Sequence, residues 1–547
     1  MTTRSPYEPD RDPDRSEAEI EAESSSSAAR EADGRSAPAS PSLEAPADPD
    51  PGPSLARRAA SGGMLMAAQT ACSQVINLGG FILLGFLLTE TDHGLFTQTI
   101  TVATFATLLQ QIGIRSILIS RAERFAVLGA AATVLMLTGG LLLAAAIMGA
   151  APLIARAYGS PQLVPLIQII ALSVPFNAVA VVAESRLQID LRFRSMVRIQ
   201  FTRLLGEMLA MIAMALLGAG PYALVVPRTV FTISATADYW RIARPHLGLG
   251  RDRRLPRLRR NMGRLLGDSR HLAPANVANY LISQSDRIIL SIFATPAIVG
   301  IYGFALSLVS RPALVLDRSL ASVLAPVLGR LRDEPERQAR GYVRAVRLTA
   351  AISAPLCLQI GLAAAPVMHT IMHPRWLPTI PIMQLMAVTT VFAIVGRTHA
   401  PLLDMQRRFH IRMRLNIIHA VVMVSAVAFA AREGRALAVA QAVAVVQTIG
   451  ALVKIRVAIG GGGLGWREVS SILTVPVLAG AAASAVTHAA LTWIPNEGWG
   501  WWAQLPTIPL LFFPVYLVIL RLFARETFAE FVGQARSVMA RLERFRR

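Results

Sequence analysis

Arg203 and Glu207 stand four residues apart in an otherwise apolar run, so on a helix they share one face and neutralise each other. Arg311 and Arg318 are seven apart, again on one face, with Asp317 beside the second and no carboxylate three or four residues from Arg311. Arg228 follows Pro227, whose missing amide hydrogen weakens the helix around it. Asp286 and Arg287 are adjacent, point to different sides of their segment and do not pair directly. Guanidinium groups in apolar surroundings are planar, charge-assisted donors suited to an oxyanion. Arg311 is the first candidate for such a contact, Arg318 and Arg228 the next, and Arg203 belongs to the same set. Asp286 and Glu207 are the carboxylates able to take up an ion or proton. Two polar stripes accompany these charges, Gln69, Gln74 and Asn77 in one segment and Asn276, Asn279, Gln284 and Ser285 in another.

Little else in the chain suits chemistry. Gly460 to Gly463 lack the Gly-Lys-Ser/Thr ending of a phosphate loop. His369 and His373 have helical spacing but no acidic third ligand near, and two lone cysteines, Cys72 and Cys357, have no zinc-ligand spacing. Both cysteines read as core packing. No metal and no cofactor is expected, and the chain is not read as an enzyme.

The elements that must hold these charges are membrane spans. The chain of 547 residues is 53% hydrophobic. It contains fourteen apolar stretches, at 64–88, 94–119, 125–149, 163–183, 199–218, 221–240, 271–293, 297–327, 345–366, 378–396, 413–431, 436–453, 470–493 and 504–523. Each can cross a hydrocarbon core about 30 Å thick at about 1.5 Å per residue. With the start of the first span inside, almost every basic residue between spans falls on the cytoplasmic side; only Arg156, Arg375, Arg432 and Arg435 fall outside. Both termini are then cytoplasmic. The net charge of +20 is topology signal and contact with membrane lipids rather than a nucleic-acid footprint, and the basic loop before Arg270 rests on anionic headgroups. The first 56 residues hold 13 acidic and 5 basic residues, rich in Pro and Ser, and cannot bury enough surface to order themselves. They lack the features of a cleaved signal peptide.

Two alignments within the chain suggest an internal repeat. Gly94-Leu95-Phe96 matches Gly300-Ile301-Tyr302, and Phe176 through Arg198 matches Phe392 through Arg414 at a constant offset of 216 residues. The expected architecture is an all-α polytopic membrane protein. A disordered acidic tail (1–60) precedes a six-span lobe (61–240), a basic linker (241–270) and a second six-span lobe (271–459). Two further spans (460–525) and a basic tail (526–547) follow. Six spans is an even number, so both lobes share one orientation and enclose a cavity that exchanges access from side to side.

No external loop exceeds about a dozen residues, which leaves no room for the catalytic segment of a membrane glycosyltransferase, polymerase or ligase. Asn279, Asp286, the run Arg287-Ile288-Ile289-Leu290, Val299-Gly300-Ile301-Tyr302, Ala305 and Pro312 resemble the recurrent pattern of Wzx-type polysaccharide flippases of the multidrug/oligosaccharidyl-lipid/polysaccharide (MOP) exporter superfamily. Ser291 stands where that pattern commonly has Gly, and Ile301 where it often has an aromatic residue. The resemblance implies flipping of an oligosaccharide linked to undecaprenyl pyrophosphate across the bacterial cytoplasmic membrane, feeding capsule, exopolysaccharide or O-antigen assembly. It also implies glycosyltransferases and a polysaccharide polymerase as partner enzymes. In that role the arginines would hold the pyrophosphate, and Gln74, Asn77 and Asn279 would meet sugar hydroxyls. A lipid II flippase, a MATE-like cation exporter and a non-transporting membrane scaffold are the alternatives. Buried arginines outnumber buried carboxylates, which favours an anionic cargo over a cation.

Overall fold

The structure is a computed structural model that describes residues 53–110, 114–244, 261–263, 265, 267, 273–310, 334–460, 466–495 and 498–533. The chain divides into two compact units, Met1–Arg57 and Arg58–Arg547, and residues 1–52 of the first lie outside the described residues. The described residues form seventeen α-helices and no strand. In order they are α1 (Pro53–Leu87), α2 (Glu90–Gln110), α3 (Ile114–Ser120), α4 (Phe125–Ala157), α5 (Leu163–Ala171) and α6 (Ser173–Ile189). Next come α7 (Phe193–Leu216), α8 (Tyr222–Ala243), α9 (Ala273–Phe293), α10 (Pro296–Val309), α11 (Pro335–Ile371) and α12 (Thr379–Arg397). The series ends with α13 (His399–Met405), α14 (Phe409–Ala431), α15 (Ala436–Ile459), α16 (Trp466–Leu491) and α17 (Trp499–Phe523).

Ten of the described spans are long and apolar enough to cross a membrane, and the chain is a multi-pass membrane protein. Four of the fourteen expected stretches are not among the ten. Helices α2, α8 and α9 carry charged and polar side chains within their length, and α10 has only 14 described residues. The helix α1 starts at Pro53, within the stretch expected to be a disordered tail, because Pro suits the first helical position and Ala-rich sequence follows it. Cys357 is buried as expected, whereas Cys72 is exposed on α1, so its packing role is corrected: it lies on the outer face of that helix.

The 216-residue offset extends well beyond the residues that suggested it. The pairs α5–α6 and α12–α13 form broken spans, Leu163–Ile189 and Thr379–Met405, each of 27 residues. Both end in a residue with positive φ, Leu191 (53°) and Arg407 (56°), before α7 and α14 begin at Phe193 and Phe409. Those helices end before Gly218 (φ 74°) and Gly434 (φ 64°), again 216 apart. The left-handed conformation closes each helix with free backbone carbonyls satisfied, and Gly takes it without strain.

Helices α4 to α8 pack against one another, as do α11, α12, α14 and α15 with α9 and α10; α2 packs on α10 and α9 and bridges the groups. Lipid supplies no hydrophobic drive for helix association, so small residues that let backbones approach take its place. A Cβ on Gly94 would overlap the backbone of Pro296, and one on Gly300 would overlap the carbonyl of Glu90. The two glycines matched by sequence are therefore each other's packing counterparts.

An aromatic cluster lies beside this crossing. Phe304 stacks on Trp376 (4.0 Å between centroids) and on Phe81 (4.9 Å), with the edge of His93 against all three. The Trp376 indole donates to the Gly85 carbonyl of α1 at 2.8 Å. Rings and backbone contacts shut this end of the bundle, with the Arg375 guanidinium donating to the Phe86 carbonyl at 3.2 Å.

Candidate functional site

A cavity of about 400 Å³ lies within the N-terminal group of helices, on the α1 and α2 turns next to the aromatic cluster. Its wall is polar. Helix α1 contributes Gln69, Ser73, Gln74 and Asn77, and α2 contributes Thr104 and Thr107. Ser173, Asn177 and Glu184 come from α6, Gln200 and Arg203 from α7, and Arg228, Thr232, Thr236 and Tyr239 from α8. The break between α5 and α6 exposes this polar wall: Pro175 lacks an amide hydrogen, the helix restarts at Ser173, and the Ser173 hydroxyl donates to the Ile170 carbonyl at 2.7 Å.

The charges are arranged around one carboxylate. Arg203 Nη1 donates to Glu207 Oε2 at 2.8 Å, one helical turn along α7 as the spacing required. Arg228 Nη1 reaches the other oxygen, Oε1, at 3.5 Å from α8. The Glu207 side chain is only 8% exposed, while those of Arg203 and Arg228 are 37% and 40% exposed. Two guanidinium groups thus face the cavity, share one buried carboxylate and leave one unit of positive charge uncompensated by it. Helix α8 runs unbroken through Pro227, so Arg228 reaches the cavity from an intact helix and not from a locally opened one.

Glu184 and Arg115 form an ion pair at the edge of the same cavity. Sequence reasoning missed both, because Glu184 follows an apolar stretch that appeared to end at residue 183, whereas α6 continues to Ile189. Gln200 was legible in principle, lying one turn before Arg203 on the same face. Tyr239 approaches both Gln200 and Glu184 and completes that wall.

The remaining sequence candidates lie elsewhere. Asn279 is exposed on α9 and accepts from Asn416 Nδ2 of α14 at 3.3 Å. Asp286 is buried, accepting from the Tyr302 hydroxyl at 2.8 Å and from the Arg287 backbone amide at 2.8 Å. Arg287 turns away from Asp286 and donates to Gln284 Oε1 at 2.9 Å. Neither Asn279 nor Asp286 is among the cavity-lining residues. Arg311, Asp317 and Arg318 lie outside the described residues. His369 stacks on Trp501 and His373 Nδ1 accepts from the Arg375 amide at 3.5 Å, so both rings are engaged by protein.

The Asp286–Tyr302 bond ties α9 to α10 between two buried side chains. Tyr302→Phe is expected to remove one donor from a buried carboxylate and to lower stability by about 1–3 kcal/mol. A thermal unfolding series in detergent checks this, and an unchanged midpoint would show that the carboxylate finds another donor.

Polysaccharide biosynthesis proteins match this chain as a family over residues 83–381. The teichuronic acid biosynthesis protein TuaB of Bacillus subtilis is 23% identical over 346 residues, covering 63% of this chain and 70% of that one. The succinoglycan biosynthesis transport protein ExoT of Rhizobium meliloti is 24% identical, covering 51% of this chain and 56% of its own. Among solved structures, a lipid II flippase MurJ in an inward closed conformation superposes with a TM-score of 0.65 at 14% identity, over 85% of this chain and 99% of that chain. The fold is therefore MurJ-like.

Proposed function

We propose, starting from the fact that the chain belongs to the family of polysaccharide biosynthesis proteins, that it is a flippase for a lipid-linked oligosaccharide. The cargo is an oligosaccharide joined to undecaprenyl pyrophosphate, moved from the inner to the outer leaflet of a bacterial cytoplasmic membrane for polysaccharide assembly. Both chain ends lie in the cytoplasm in this reading. The names of TuaB and ExoT support the pathway class, and the MurJ-like scaffold supports alternating access.

One observation carries the reading: Arg203 and Arg228 present two guanidinium groups to a polar cavity while sharing the single carboxylate of Glu207. A pyrophosphate crossing hydrocarbon must exchange its hydration shell for fixed donors, and guanidinium planes supply them. Gln74 and Asn77 of α1, in the same lining, offer amide groups to sugar hydroxyls. A volume of about 400 Å³ is in the range of a site for a head group, not for a whole lipid, so the tail stays between helices in the acyl region. Arg311 and Arg318 join the headgroup contact in this proposal as the charge reaches the second group of helices.

The cavity sits beside α1 residues that precede the aromatic cluster, and the cluster closes the other end. With the start of α1 inside, this is the state that receives cargo from the cytoplasm. A cation exporter would need an unpaired acid in the cavity, but Glu184 is paired with Arg115 and Glu207 with two arginines.

The test uses the full chain in proteoliposomes with an undecaprenyl-pyrophosphate oligosaccharide carrying an NBD tag on its sugar. Dithionite added outside should bleach the inner-leaflet tag as well as the outer. Bleaching that stops at the outer-leaflet fraction would remove the flippase assignment, and protection with tagged lipid II alone bleaching fully would move the cargo to lipid II.

A further inference from the structure

Arg203 and Arg228 take the pyrophosphate, and Glu184 of α6 has no part in that contact although it also lines the cavity. Glu184 is the one carboxylate among the described lining residues, because Glu207 is not part of the lining. Arg115 of α3, the ion-pair partner of Glu184, is not part of it either. The pair is neutral as a whole but oriented. The cavity meets the carboxylate, and the guanidinium holds it from outside the lining.

The distance of this carboxylate from the arginines follows from the helices that carry them. Tyr239 of α8 approaches both Glu184 and Gln200 of α7 and lies within electrostatic reach of Arg203. Gln200 precedes Arg203 by three residues, about 4.5 Å along the helix axis. A group bonded directly to a pyrophosphate on Arg203 therefore crosses less than one helical turn and arrives beside Gln200, Tyr239 and Glu184. In a lipid-linked oligosaccharide that group is the first sugar. Asn177, Thr232 and Thr236 complete its surroundings with neutral donors and acceptors.

We propose that Glu184 is a specificity-determining residue, which accepts hydrogen bonds from hydroxyl groups of the first sugar and rejects a cargo whose first sugar carries a carboxylate. This rests on the flippase reading above and adds to it the charge class of the sugar next to the pyrophosphate. An ionised carboxylate accepts through two oxygens with about four lone-pair sites. Arg115 donates to one of those oxygens, so acceptor capacity remains toward the cavity. A sugar hydroxyl fills it. A uronate carboxylate in the same place brings a second acceptor and a like charge to contact range, in a wall where screening is weaker than in water. The cations among the described lining residues are Arg203 and Arg228, and the pyrophosphate engages both. Glu184 thus selects by repelling the wrong cargo, which costs the right one nothing.

The experiment compares farnesyl pyrophosphoryl glucose with farnesyl pyrophosphoryl glucuronate, which differ only in a hydroxymethyl group against a carboxylate. Binding of each to the full chain in nanodiscs is measured by isothermal titration calorimetry. The glucose form should bind at least about tenfold more tightly, since like charges set against each other are strongly unfavourable. Glu184→Gln should remove that preference, chiefly by improving the glucuronate form. Arg115→Gln should widen it, because the carboxylate loses the cation that partly offsets its charge. A pair with a merely structural role would shift both probes alike in both variants. Equal affinities in the wild type overturn the proposal, as does a ratio that Glu184→Gln leaves unchanged. Should Glu184→Gln fail to fold, Arg115→Gln decides: a ratio that does not widen removes Glu184 as the selector. Flipping of NBD-tagged lipids is read separately. Discrimination in binding without flipping ends the transport reading and leaves this subsite standing, flipping without discrimination does the reverse, and binding of neither probe overturns both.

Discussion

Gly94→Val or Gly300→Val should abolish the folded, closed state of this protein rather than merely weaken it. At each position the added Cβ overlaps backbone, the Pro296 carbonyl in one case and the Glu90 carbonyl in the other, so no side chain can turn aside to accommodate it. Overpacking a core ordinarily costs about 1–3 kcal/mol, occasionally more, and here the only relief is separation of α2 from α10. That separation also breaks the aromatic stack of Phe304 on Trp376 and Phe81 beside the crossing. The measurement is monodisperse yield and thermal midpoint in detergent, with Gly303→Ala as the control, since its Cβ meets only the Thr97 side chain. A wild-type midpoint for Gly94→Val would show that the two helices do not meet as described. Gly94→Ala in membranes should bias the surviving protein toward the state open at the aromatic end.

The same pair of glycines shows how much of the fold could be read in the residues. Helices announce themselves through apolar runs, because each must satisfy its own backbone in lipid. The repeat was visible where it carries backbone geometry: the residues flanking Leu191 and Arg407 and the offset of 216 mark turns that only certain conformations allow. What the sequence withheld was the identity of neighbours. Nothing in the spacing of Gly94 and Gly300 says that they pack on each other. The end of α6 was hidden too, since Glu184 and Arg186 look like a loop until Arg115 and Asp190 are seen to pair with them.

The candidate site was half legible for a related reason. Pairing along one helix obeys a fixed period, so Arg203 with Glu207 followed from four-residue spacing, and Gln74 and Asn77 from their shared stripe. Pairing across helices has no such signal. Arg228 joins Glu207 from α8, and Asp286 turns out to be held by Tyr302, a residue read only as part of a family-like pattern. Arg311, first among the sequence candidates, lies outside the described residues, so the described cavity rests on Arg203 and Arg228 alone.

Arg203→Ala together with Arg228→Ala should stop transport while leaving the protein inserted and folded. Each guanidinium offers a hydrogen bond to a charged partner, worth about 1.5–3 kcal/mol, so each single variant should weaken cargo binding about tenfold or more. The double variant leaves Glu207 as an unpaired carboxylate in the wall, which repels pyrophosphate and makes the loss more than additive. Arg228→Lys should recover only part of the function, because an ammonium keeps the charge but not the planar fork. Glu207→Gln separates binding from turnover. It frees both guanidinium groups for the cargo, so the apparent KM should fall, yet the carboxylate that reclaims them when cargo departs is gone, so kcat should fall as well. The readout is initial flipping rate against concentration of the NBD-tagged pyrophosphate lipid. A Glu207→Gln variant that raises KM would mean that the carboxylate itself contacts the cargo, and a fully active double arginine variant would place the anion site outside this cavity.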